Sequence, residues 1–184
     1  PSVIRPPIPR PPLQLSECDV MAEEILATAE TDEDSTLALY GLVPDTARRW
    51  VHVTVAAACS TRARPAAAFG VYWGENSAHN RGLGIPGRQL DSRALLHAIL
   101  FALHVANPAR VLDISTSSKY AVRSICYLAG RNYTRSWSCA NGDLLDLIAH
   151  AICSRPARTT FTALSERGTT GALGQAKALA TAAC

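Results

Sequence analysis

Residues 50–58 (WVHVTVAAA) contain no Lys, Arg, Asp or Glu and place β-branched side chains at 51, 53, 54 and 55. Such a run fits a pleated, buried strand better than a helix. Residues 67–73 form a second strand-like run, and Gly82–Ile85 begins a third. The period then changes. Ala94, Leu95, Ala98, Ile99, Ala102 and Leu103 recur at helical spacing within Asp91–Val105, which stops before Asn107-Pro108. Arg110–Thr116 is read as a strand and Ser118–Ala129 as a helix stopped by Gly130. Arg131–Gly142 is read as a loop, Asp143–Ile152 as a helix, Thr159–Leu164 as a strand, and the stretch from Ala172 as an alanine-rich helix. Five strands interleaved with helices in the order β-β-β-α-β-α-α-β-α predict an α/β fold, a mixed five-stranded sheet flanked by helices.

The 184 residues suffice for one domain of ordinary size, and charge divides the chain unevenly. Residues 1–45 hold nine of the fifteen acids against two arginines, whereas residues 46–184 hold six acids against sixteen basic residues. The reading is therefore an arm over 1–45 and a basic domain over 46–184. Residues 1–12, with six prolines, read as an extended linker, or alternatively as a ligand for a proline-binding module. Ser16 can cap a helix whose apolar stripe is Cys18, Met21, Ala22, Ile25, Leu26 and Ala29. Packed on its own domain the stripe is structural; offered outward, Met21, Ile25 and Leu26 would be a protein interface. Thr31–Thr36 is read as a polar, acidic loop.

No apolar run approaches the ~20 residues of a membrane helix. The six cysteines show neither zinc spacing nor a disulfide framework. The expectation is an intracellular protein with reduced thiols, whether nuclear, cytoplasmic or mitochondrial, with no metal, cofactor or small-molecule substrate.

Five short motifs in order carry a resemblance. GVYWG at 70–74 ends the second strand. Gly87-Arg88-Gln89 precedes Arg93-Ala94-Leu95-Leu96-His97-Ala98. Val111-Leu112 leads to Thr116-Ser117-Ser118, Asn141-Gly142-Asp143 opens a helix, and Gly168-Thr169-Thr170-Gly171 precedes the last one. This sequence resembles the type 1 ribonuclease H family over most of 50–180, and the resemblance implies a ribonuclease H-like fold with an added N-terminal helical arm. The family cuts the RNA strand of RNA–DNA hybrids with two Mg²⁺ ions held by four carboxylates. By the same resemblance, Ala56, Leu95 and Ser117 stand at three of those carboxylate positions and Thr169 at the loop histidine. The fourth position falls in the last helix, where the alignment slips, but no acid follows Glu166. Asp91, Asp113 and Glu166 are too scattered to replace the set. The expectation is a domain without ribonuclease activity.

The resemblance also marks a hybrid-binding surface. Cys59, Ser60 and Thr61 follow the first strand; Arg88 and Asn141 match two members of a phosphate pocket, while Leu90, Asp91 and Ser92 depart from the family pattern. Gln89, Lys119, Arg131, Arg135 and Trp137 complete the candidate nucleic-acid contacts. Trp137 and Tyr133 either stack on a base or anchor their loop. Arg62, Arg64 and Arg123, with Lys119, form a basic rim or merely a solvated face, and His97 reads as a packed helix residue. Two functions follow. The first is an assembly module working by protein contact or self-association, with Ala56 and Leu95 as new apolar surface. The second is a non-catalytic nucleic-acid-binding module. The broken phosphate set tilts the sequence reading towards assembly.

Overall fold

A computed structural model describes residues 31–41, 50–60, 66–165 and 171–184. The elements in chain order are α1 (Asp32–Tyr40), β1 (Trp50–Ser60), β2 (Ala66–Tyr72), β3 (Arg81–Gly84), α2 (Asp91–Val105), β4 (Val111–Thr116), α3 (Lys119–Cys126), α4 (Ala129–Thr134), α5 (Gly142–Ser154), β5 (Thr159–Ala163) and α6 (Ala172–Ala182). The sheet order is β3-β2-β1-β4-β5. β1, β2 and β3 pair antiparallel, while β4 and β5 run parallel to β1. Among the described residues no helix is long and apolar enough to cross a membrane.

Alternation along β1 builds two layers. Val53 and Val55 point into the main core with Leu96, Ile99, Leu112, Ile114 and Ile148, so α2 and α5 cover that face. Ala56 points the other way, into a smaller cluster with Leu173 and Ala176 of α6. On this second face the helix sits almost on the strand backbone. A β-carbon at Gly70 would lie 1.9 Å from the Ala176 carbonyl oxygen, and one at Gly82 would lie 2.1 Å from that of Leu179. The GVYWG motif therefore supplies a gap into which an alanine-rich helix is lowered. Arg155 joins the ends of the elements on the opposite side. Its buried guanidinium donates to the carbonyls of Leu103, Ala106, Asn107 and Arg110 at 3.0–3.3 Å, tying the end of α2 to the approach to β4. Those acceptors offset the desolvation of the charge, although burial still lowers the Arg155 pKa.

Two local readings are corrected. Thr31–Thr36 is not a loop, because Asp32–Tyr40 is helical. Thr31 caps it by accepting from the Asp34 N–H at 3.1 Å, and acids in a first turn suit the helix dipole. Nor does Gly130 stop a helix: the Ser118–Ala129 reading resolves into α3 and α4, with Gly130 inside α4. A β-carbon there would meet the Ser35 backbone at 2.0 Å, so Gly130 lets α1 and α4 touch. Thr36 locks the contact, donating to the Tyr127 carbonyl at 2.7 Å and accepting from the Gly130 N–H at 3.1 Å. Leu39 and Tyr40 then enter the main core.

Gly70→Ala forces α6 off β2 and is expected to cost about 1–3 kcal/mol, the usual range for overpacking. A lower urea midpoint with an unchanged slope would show it; an unchanged midpoint would mean that α6 is not seated on the strand.

Candidate functional site

The register brings the end of β1 beside the end of β4. Thr54 pairs with Ser115, so two residues further on Ala56 lies beside Ser117. These two residues, with Leu95 of α2, line one cleft of about 780 Å³. Three positions that the resemblance assigns to metal ligands are thus brought together as Ala56, Leu95 and Ser117. Thr169 lies outside the described residues, as do Thr61, Arg62, Arg64, Glu166, Met21, Ile25 and Leu26.

The rest of the lining was not foreseen. Lys177 of α6 and Lys119 at the start of α3 both face the cleft, with Ser118, Ser165 and the rim residue Asp91. They are the only two lysines in the chain. Lys177 comes from α6, the helix in which the resemblance places the last carboxylate. The sequence shows only that lysine is rare, two against sixteen arginines; that both lysines meet in one depression is a tertiary fact. Ser118 sets the approach of α3 by accepting from the Ala121 N–H at 3.2 Å, and its own N–H donates to Thr116 Oγ1 at 3.2 Å.

This donor set does not suit two divalent ions. One carboxylate and two ammonium groups line the described cleft, and no group of three or more His, Cys, Asp or Glu able to hold a metal occurs among the described residues. Two close dications need concentrated negative charge, and an ammonium beside them adds repulsion. Asp113 cannot fill the deficit. It is buried four residues below Ser117, accepting from the Thr160 and Thr162 hydroxyls at 2.9 Å, with His52 Nδ1 at 3.2 Å.

Ala56 and Leu95 do not offer apolar surface either. Each is only 4% exposed, Ala56 under Leu173 and Ala176, Leu95 within the main core. The expectation of a new apolar interface at these positions is corrected: both side chains are absorbed by their own domain.

Several other candidate contacts are already occupied. Gln89 Oε1 accepts from the Ala67 N–H at 2.6 Å, and its Nε2 donates to the carbonyls of Ile85 and Gly87 at 3.0 and 2.8 Å. It clasps the loop before α2 to β2. Asn141, with φ 58° at the start of α5, donates to the Tyr120 hydroxyl at 3.1 Å, which in turn donates to the Ala140 carbonyl at 3.0 Å. Arg131 pairs with Asp32 at 3.4 Å. Trp137 is half-buried against the core with Tyr133 edge-on to it at 6.5 Å, and the bare Cα of Gly142 accommodates its carbonyl. The anchoring alternative describes its geometry. Arg88 and Arg135 are exposed, as is Cys59, whose thiol is pushed up by burial and by the nearby Asp91 carboxylate. Ser60 is half-buried at the end of β1.

Two of the short motifs meet through an ion pair. Arg93 Nη1 and Nη2 donate to the two Asp143 oxygens at 3.0 and 2.5 Å, joining α2 to α5. Each partner favours the other's charged form, so the Arg93 pKa is raised and that of Asp143 lowered. His97, one turn along α2, is pushed towards neutrality by burial and by Arg93.

No family model matches this chain. Human ribonuclease H1 is 35% identical over 83 residues, and the Mus musculus protein of the same name 34% over 83 residues; each match takes in 43% of this chain. The chain spans only 27% of the length of these relatives. Among solved structures, LC9-RNase H1, described as a type 1 RNase H with the type 2 active-site motif, superposes with a TM-score of 0.57 at 18% identity, covering 76% of this chain and 74% of that one.

If Gln89 is a clasp, Gln89→Ala lowers stability by about 1–3 kcal/mol, the cost of buried polar groups left unpaired. Thermal unfolding checks it. Unchanged stability with weakened oligonucleotide binding would instead make Gln89 a contact residue.

Proposed function

We propose that this ribonuclease H-like chain is a non-catalytic nucleic-acid-binding domain whose cleft takes a phosphodiester backbone on Lys119 and Lys177. The observation that carries the reading is the charge of the cleft. In the enzymes that the sequence resembles, four carboxylates would hold two divalent ions that supply the positive charge for the reaction. With Ala56, Leu95 and Ser117 at three of the positions that the resemblance gives to carboxylates, Asp91 is the one acid in the described cleft, and Lys119 and Lys177 supply cations there. A two-metal displacement has nothing to hold its ions there, whereas an anionic backbone meets ammonium groups directly.

Three further features support it. Ser117 and Ser118 place small hydroxyls beside the lysines. Arg88 and Arg135 stand exposed elsewhere on the body. The body as a whole carries sixteen basic residues against six acids, which favours association with a polyanion through long-range attraction. The assembly reading loses its main argument, because Ala56 and Leu95 are buried within the domain. Assembly through Met21, Ile25 and Leu26 would rest on residues outside the described set.

Binding of an RNA–DNA hybrid, measured across a salt series, tests the assignment. Each lysine that contacts a phosphate contributes ~0.9 to the slope of log K against log salt on a B-form duplex, and a similar increment is expected here. Lys119→Ala and Lys177→Ala should each shallow the slope by about one, and the double variant by about two. An unchanged slope in the double variant, or no binding by the native chain at low ionic strength, would refute it.

A further inference from the structure

Next to the cleft lies a second depression, of about 650 Å³, lined by Thr31, Val122, Leu128 and Ala163, by the cations Lys119 and Arg123, and by Asp32, whose carboxylate is paired with Arg131. Lys119 belongs to both depressions. Its walls come from the start of α1, the outer face of α3 and the end of β5, and they are mainly apolar. Tyr127, 44% exposed, adds an aromatic ring to them.

The chain itself provides a segment of matching chemistry. Thr31 lines the groove, so the residues immediately before it lead out of this spot. Residues 17–30 contain five acids and no Lys, Arg or His, and their apolar residues recur at helical spacing from Cys18 to Ala29. As a helix, fourteen residues measure ~21 Å, while the eight residues of α3 measure ~12 Å. The segment is long enough to run the whole outer face of α3 and reach Lys119.

We infer that residues 17–30 dock in this groove, with Met21, Ile25 and Leu26 against Val122 and Leu128, and acids on Arg123 and Lys119. Apolar contact holds the segment, and its charge sets which cations it covers. Because Lys119 also serves the cleft, a docked segment competes with a phosphate backbone for that ammonium. This last consequence rests on the function proposed above; the docking does not.

Lysine acetylation of the full chain in the absence of nucleic acid tests the docking, since two lysines make every modified peptide assignable. In the double variant Ile25→Asp/Leu26→Asp, Lys119 should react several-fold faster than in the native chain, with the rate at Lys177 unchanged. Glu23→Gln/Glu24→Gln, which keeps the apolar stripe, should give a smaller rise at Lys119. Unchanged Lys119 reactivity in both variants would overturn the inference. So would protection that grows with protein concentration, which would place a second copy in the groove. Hybrid binding by the Ile25→Asp/Leu26→Asp variant separates the two proposals. A Lys119 response with no hybrid binding by any form leaves the docking standing and removes the nucleic-acid reading. Intact hybrid binding with no Lys119 response removes the docking alone.

Discussion

The seating of α6 on the bare backbone of β2 and β3 organises this molecule. Gly70 and Gly82 leave no side chain between strand and helix, so Ala176 and Leu179 carbonyls lie where β-carbons would otherwise be. That approach closes one face of the sheet, buries Ala56 beneath Leu173 and Ala176, and fixes the point at which Lys177 enters the cleft. A helix lifted by the height of one methyl group would uncover Ala56 and withdraw the lysine together. Packing and site charge are one arrangement here, because the same helix supplies both.

Electrostatics then decides what the cleft can receive. The fold brings the ends of β1 and β4 and a residue of α2 to a common point, a geometry suited to collecting carboxylates around metal ions. In this chain the collected residues are Ala56, Ser117 and Leu95, with two lysines beside them. Alanine and leucine there are not idle: they fill volume and join neighbouring apolar clusters. The cleft of this chain therefore has a packed floor with a cationic rim. Binding of a polyanion needs only the rim, whereas metal-assisted cleavage needs the floor. That asymmetry is why the proposed function keeps the ligand class and drops the reaction.

Much of the scaffold was legible because its causes are local. The β-branched run at 51–55 gave β1, the apolar stripe of Asp91–Val105 gave α2, and the short motifs gave the order. The failures are physical too. Asp32, Glu33 and Asp34 resemble a solvated loop, yet acids in a first turn are what a capped helix favours. Gly130 resembles a helix stop, but its missing side chain serves a helix contact visible only in three dimensions. Gln89 and Trp137 look like recognition residues by type; the structure directs one to three backbone groups and half-buries the other. Lys177 belongs to none of the short motifs. Only the tertiary fold shows that the two lysines are neighbours of one cleft, a long-range fact that no periodicity encodes.

In the proposed function this cleft binds a phosphate backbone with its own cations and without metal. Hybrid binding and strand integrity, measured side by side in Mg²⁺, in Mn²⁺ and in excess chelator at fixed ionic strength, test it most directly. Affinity should be equal in chelator and in metal, with the RNA strand intact in all three. Metal-dependent cleavage of the RNA, or binding that disappears in chelator and returns with Mg²⁺, would contradict it.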